Sequence, residues 1–133
     1  MRAISFILAT IVGFTSQYAL ADIVRRASIP GSLWGTWAAS TDECGKAGTS
    51  SITLSAKNYG SPKESCSVEW VDETPGAKAP NYSVHLKCAG SGAQSIEAFS
   101  NVILRQIETD QLSTGADFNS LKVLQRCLTD PRR

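Results

Sequence analysis

Four cysteines, at positions 44, 66, 88 and 127, and a single histidine, His85, are the residues of this 133-residue chain best equipped for chemistry. Thiolates and imidazoles bind metals and act as nucleophiles or bases, but both roles need partners at particular spacings. No C-x-x-C pair or Cys/His cluster is present, and His85 lies three residues from Cys88 with no further ligands at short spacing. No metal site is expected. A catalytic His85 would need a nucleophile and an orienting carboxylate. Serines are plentiful, yet no G-x-S-x-G, H-E-x-x-H or phosphate-cradling glycine loop occurs. Carboxylates are paired at Asp42-Glu43, Asp72-Glu73 and Glu108/Asp110, each in or beside an expected turn. Acid–base catalysis would need one carboxyl of a pair desolvated so that its pKa rises. Turns are wet, so these read as solvated loop charges. The chain is read as a non-enzyme with no catalytic residue and no cofactor.

The cysteines are then expected to pair with one another. Arg2 followed by the apolar run Ala3 to Phe14, and then by Ala19-Leu20-Ala21, has the form of a secretory signal with an A-x-A cleavage site. Twelve apolar residues at about 1.5 Å each do not cross a hydrocarbon core of roughly 30 Å. Cleavage is expected after Ala21, leaving a periplasmic or extracellular chain from Asp22 to Arg133 without a membrane span. An even cysteine count in an exported chain points to two disulfides. The mature chain balances twelve basic against twelve acidic residues, and its basic residues cluster only at Arg25-Arg26 and Arg132-Arg133. Nucleic-acid binding, which needs concentrated positive charge, is excluded on that ground.

The elements that must position these residues read as all-β: a small antiparallel up-and-down barrel or sandwich of about seven strands. Candidate strands are Leu33 to Ala38, Ser51 to Ala56, Ser65 to Val71, Tyr82 to Cys88, Ile96 to Arg105, Glu108 to Ser113 and Asn119 to Cys127. Helical patterns compete at Ser95 to Ile107 and Leu121 to Leu128. Between the strands lie turn clusters, Asn58-Tyr59-Gly60-Ser61-Pro62, Thr74-Pro75-Gly76, Ala89-Gly90-Ser91-Gly92 and Thr114-Gly115-Ala116-Asp117. Residues 22–30 form a flexible leader, 31–128 a single domain and 129–133 a disordered tail.

The clearest hairpin is Cys66 to Val71 returning as Tyr82 to Cys88. Alternation puts Cys66, Val68 and Trp70 on the face of Tyr82, Val84, Leu86 and Cys88, leaving Ser67, Glu69, Ser83, His85 and Lys87 to solvent. Glu69 then neighbours Lys87 or His85. Cys66 falls across from Cys88, within disulfide reach. In a seven-strand meander Cys44 and Cys127 share one end and Cys66 and Cys88 the other, which predicts Cys44–Cys127 and Cys66–Cys88. The expected core is Trp34 or Trp37 with Ile52, Leu54, Val68, Trp70, Val84, Leu86, Val102, Leu104, Leu112, Leu121, Val123 and Leu128 or Leu124.

Gly31-Ser32-Leu33-Trp34-Gly35-Thr36-Trp37 is the most distinctive local motif. Gly35-Thr36-Trp37 resembles the G-x-W opening of small secreted bacterial lipocalin-like β-barrels, in particular inhibitors of metalloproteases; periplasmic lysozyme inhibitors are similar small disulfide-bonded barrels. The resemblance implies a leader that enters a protease cleft, which makes Asp22, Ile23, Val24, Arg25 and Arg26 the candidate partner-binding segment. Four cysteines depart from the single disulfide usual in those inhibitors. The expected function is a monomeric exported binding module for an envelope or extracellular protein, inhibiting a hydrolase. The alternative is a non-inhibitory structural or envelope accessory protein. Strands this short leave little room for a small-molecule cup.

Overall fold

The computed structural model describes residues 13, 23–46, 50–89 and 97–128. Apart from Gly13, the signal segment with its cleavage point, Asp22 and the 129–133 tail lie outside the described residues. Nine strands follow in chain order: β1 Val24–Arg26, β2 Gly35–Ala38, β3 Ile52–Leu54, β4 Asn58–Gly60, β5 Ser65–Thr74, β6 Asn81–Ala89, β7 Glu97–Glu108, β8 Gln111–Gly115 and β9 Lys122–Arg126. Each of β2 to β9 pairs antiparallel with its neighbours in the chain, and β9 closes on β2 through Trp37 opposite Arg126 and Ala38 opposite Gln125. The result is a closed eight-stranded up-and-down barrel with β1 added outside it. Closure removes most of the unpaired edges that would otherwise template aggregation, leaving the far stretch of β5 to β1.

All seven expected strands are present, and both ambiguous segments are strands. Two strands were not expected. Asn58-Tyr59-Gly60, read as a turn, is β4, because its backbone is paired on both sides, Gly60 facing Thr53 and Ser65. Ladder pairing and the packing of Tyr59 against the core override the weak strand propensity of Asn and Gly. Val24–Arg26, read as flexible leader, is a strand lying along β5, with Val24 opposite Glu73, Arg25 opposite Asp72 and Arg26 opposite Val71. Only the first part of β5, Ser65 to Ser67, pairs with β4, so β1 takes the same edge further along.

The core fills the barrel with Ile29, Leu33, Trp37, Ile52, Leu54, Val68, Val71, Val84, Leu86, Val102, Leu104, Leu112 and Leu124 around the Cys66–Cys88 bridge. Ile29 was assigned to the leader but is fully buried, its N–H bonded to the Ala56 carbonyl. Of the two motif tryptophans Trp37 enters the core and Trp34 stays exposed. Val123 is exposed and Leu121 half-buried, contrary to expectation; of the alternatives Leu124 and Leu128, Leu124 carries the inward position of β9 and Leu128 is exposed.

One end of the barrel is closed by Arg126 over Trp37. The guanidinium lies 4.2 Å from the ring centroid and donates to the carbonyls of Trp34 at 2.9 Å, Ser32 at 2.8 Å and Thr109 at 3.1 Å. The Trp37 indole N–H donates to the Leu33 carbonyl at 3.0 Å. Gly35 has φ +125°, a conformation that side chains rarely adopt, and its missing Cβ faces the Arg126 guanidinium. The G-x-W motif therefore pairs with a cation ninety residues away on the last strand.

Both disulfides have the expected connectivity, Cys44–Cys127 with Cα atoms 5.6 Å apart and Cys66–Cys88 with 4.0 Å. The seven-strand parity that predicted them does not hold, since β4 makes the barrel strands eight and sends β9 back towards the start of β2. Cys127 donates its N–H to Thr36. The bridge forms because β2 is only four residues long and residues 39–43, with a 3-10 turn at Thr41–Glu43, suffice to bring Cys44 alongside. Two disulfides belong to an oxidising, non-cytoplasmic compartment. Among the described residues no helix is long and apolar enough to cross a membrane.

Candidate functional site

A bulge in β5 creates the most developed surface feature of the molecule. Cys66 faces Cys88 and Val68 faces Leu86 as the alternation predicts, but Trp70 then faces His85 and Val71 faces Val84. Glu69 is the extra residue. From that point every side chain of β5 has moved to the other face. Val71 takes the core position expected for Trp70, and the indole turns outward to stack on His85, ring centroids 4.4 Å apart and 25° from parallel.

β1 completes the arrangement. Arg25 lies 4.8 Å from the centroid of the Trp70 ring, and its Nε donates to Asp72 Oδ1 at 3.0 Å. The other oxygen of Asp72 meets His85 Nε2 at 3.2 Å. Four side chains from three strands thus form one unit: Arg25 over Trp70, Trp70 against His85, and Asp72 bonded to both Arg25 and His85. A second rung repeats the ion pairing, Arg26 Nε donating to Glu73 Oε2 at 2.6 Å, with the Tyr82 hydroxyl donating to Glu73 Oε1 at 3.4 Å.

Asp72 and Glu73 are therefore not the wet turn residues the sequence suggested. β5 runs on to Thr74, and their side chains are only 19% and 17% exposed. The hydrogen bond and charge of Arg25 hold the Asp72 carboxyl below its ordinary value near 3.8, against the opposing effect of partial burial. His85 and the Trp70 indole lower it further. The indole N–H is buried and makes no well-formed hydrogen bond of its own. Burial, followed by the Glu73 charge, pushes the Tyr82 hydroxyl up.

Beyond His85 the surface continues onto β7. Asn101 faces His85 and Phe99 faces Lys87 in the sheet register. Phe99 is 79% exposed. A shallow open depression of about 310 Å³ runs between the two aromatic positions, lined by Glu69, Trp70, His85, Phe99, Ser100 and Asn101. Lys87 pairs with Glu97 at 3.1 Å and also feels the charge of Glu69, the neighbour that alternation predicts, whereas His85 meets Asp72.

His85 does acquire the carboxylate a catalytic base would need, but among the described residues it hydrogen-bonds to Asp72 alone, with no hydroxyl or thiol as nucleophile. Glu64, Cys66 and Cys88 come within 4.8 Å of one another, and the two sulfurs are joined in a disulfide, so no thiolate is offered to a metal. No protein-family model, curated protein or solved structure matches the chain.

Of the expected partner-binding segment, Arg25 and Arg26 are engaged by Asp72 and Glu73, Ile23 and Val24 are exposed, and Asp22 lies outside the described residues. Trp70, Asp72, Phe99 and Asn101 were missed as site residues. The signal in the sequence for Phe99 was an aromatic at a solvent-facing parity of β7. Trp70 gave none, because a bulge has no unambiguous mark in the sequence.

Proposed function

We propose that the protein is an exported β-barrel binding module, not an enzyme, whose face formed by β1, β5, β6 and β7 recognises an extracytoplasmic protein, and that this partner is a hydrolase it inhibits. The observation that carries the reading is the row Trp70, His85 and Phe99 on the outside of a barrel whose inside is already filled by its own side chains. Exposed, rigid aromatics with a polar surround are the usual anchors of protein interfaces. The Arg25–Asp72–His85 links fix Trp70 and His85 in advance, so binding need not order them. The Gly35-Thr36-Trp37 resemblance and the closed eight-stranded meander support the comparison with small secreted barrel inhibitors. The location of β1 favours the face over the leader as the contact surface, since inserting residues 22–29 into a cleft would require stripping β1 from β5 and withdrawing Ile29 from the core.

The test is inhibition of lysozyme and of zinc metalloproteases by the oxidised protein at micromolar concentration, with capture from an envelope extract alongside. Phe99→Ser should abolish inhibition and capture while leaving the far-ultraviolet spectrum and the melting temperature unchanged. Inhibition that survives Phe99→Ser would move recognition away from this face. No inhibition of either class, with capture still dependent on Phe99, would favour the accessory role.

A further inference from the structure

Arg105 is the one arginine among the described residues without a carboxylate partner: Arg25, Arg26 and Arg126 pair with Asp72, Glu73 and Asp110. It is half-buried on the outer side of β7. Its Nε donates to the side-chain oxygen of Asn81, and its guanidinium packs 5.5 Å from the centroid of the Phe118 ring. The position is fixed while the terminal N–H groups, four strong donors, have no carboxylate to receive them. Beside it lies an open depression of about 410 Å³, walled by Ala77, Ala79 and Ile107, with Lys78 and Ser113 at its margin. Ser113 faces Arg105 across the β7–β8 ladder and is only 8% exposed.

Both flanking turns rest on glycines. A Cβ on Gly76 would meet the Ala79 carbonyl oxygen at 2.1 Å, and one on Gly115 would meet that of Ser120 at 2.6 Å. Gly76 folds the turn that supplies the wall of Ala77 and Ala79. Gly115 lets the chain fold closely where it leads to Phe118. The two glycine-bearing turns thus frame a held cation.

We propose that this depression binds a carboxylate carried on a short apolar stem, the carboxylate taken by Arg105 and the stem by Ala77, Ala79 and Ile107. A guanidinium presents paired N–H donors that match the two oxygens of a carboxylate. The single guanidinium held in place suits a single carboxylate, and the apolar walls favour an anion with an aliphatic stem over a bare inorganic one. The chemistry is that of a free carboxylic acid or of a polypeptide chain end with an aliphatic last residue. The site is separate from the Trp70 face and does not depend on the function proposed for it.

Titration of the oxidised protein by two-dimensional amide NMR tests the inference, with hexanoate and hexanol as one pair of probes and a capped tripeptide ending in leucine, as acid and as amide, as the other. Saturable shifts confined to Ala77, Lys78, Ala79, Asn81, Arg105 and Ser113 are expected for the acids. Arg105→Gln should weaken the binding by about tenfold or more, and Arg105→Lys by less, because a lysine keeps the charge but not the fork. Tighter binding of the tripeptide acid than of hexanoate would place the ligand at a chain end, and the reverse would make it a free acid. Hexanol and the amide binding as well as the acids, no saturable shift with either acid, or an Arg105→Gln protein of native spectrum that binds unchanged would each overturn the proposal.

Discussion

Arg126 lies 4.2 Å from the Trp37 ring and Arg25 lies 4.8 Å from the Trp70 ring, and each arginine also meets an aspartate, yet the two pairs sit in different surroundings. Trp37 is fully buried, its N–H is satisfied, and the cation above it is spent mainly on the carbonyls of Ser32, Trp34 and Thr109, with the exposed Asp110 carboxylate 3.4 Å away. Trp70 stands on the outer face, its cation is bonded to a side-chain carboxylate, and Arg25 itself is 66% exposed. The first pair closes the barrel by joining the chain's early and late segments. The second stiffens a surface. The same cation–aromatic contact therefore serves stability where its hydrogen bonds go mainly to backbone carbonyls, and presentation where they go to neighbouring side chains.

The sharpest way to break that contrast is to remove each ring. Trp37→Ala should cost about 3–5 kcal/mol, the range for deleting a buried aromatic from a core. Trp70→Ala, at a half-exposed site, should cost about 1 kcal/mol, while capture of a partner by the aromatic face is lost. Denaturant unfolding with both disulfides intact measures the two. Equal losses of stability would mean that Trp70 is part of the core and that its outward orientation is incidental.

Removing each cation comes next in size. Arg126→Met keeps the apolar stem over Trp37 but strips several backbone carbonyls of their donor, so about 1–3 kcal/mol should be lost. Arg25→Met breaks one exposed ion pair and one cation–π contact, and the loss should stay within about 1 kcal/mol. The Arg25 effect should also shrink as salt is raised, and the Arg126 effect should shrink less, because the Arg25 side chain is 66% exposed whereas that of Arg126 is 21% exposed and bonds mainly to neutral carbonyls, with Asp110 as its one charged partner. An Arg126 effect as salt-sensitive as that of Arg25 would remove the distinction.

The two regions were not equally legible in the sequence. Gly35-Thr36-Trp37 announced the first, since a glycine two residues before a tryptophan on an opening strand is visible as a motif; Arg126 was invisible, because only barrel closure brings β9 to β2. The hairpin register was correct from Cys66 to Val68 and failed at Glu69, where one extra residue reverses the faces of all that follows. That reversal carried Trp70 out of the expected core and moved Asp72 from an assumed turn to the side of His85. β1 was missed for a related reason: three residues without alternation become a strand only because β5 has a free edge next to them. Pattern thus revealed seven of the nine strands and the Cys66–Cys88 bridge, while Cys44–Cys127 came out as expected through a strand parity the barrel does not keep, and the candidate site arose from one irregularity and one long-range addition, neither of which has a period to read.

The smallest expected effect tests the Arg25–Asp72–His85 unit itself. Because the Asp72 carboxyl titrates below its ordinary value near 3.8 in the folded protein, protons bind it more readily in the unfolded chain. Its ionised form therefore adds stability that is fully present above that ordinary value and disappears as pH falls through the lower folded one. Asp72→Asn should be slightly less stable than the parent at neutral pH, and the two melting temperatures should converge on acidification below about pH 4, where the parent loses its advantage. High salt at neutral pH should narrow the same gap, since the Arg25 side of the contact is exposed. A gap that stays constant through the acid range would show that Asp72 acts by shape or neutral hydrogen bonding, and the charge linking β1 to the aromatic face would then have no energetic role.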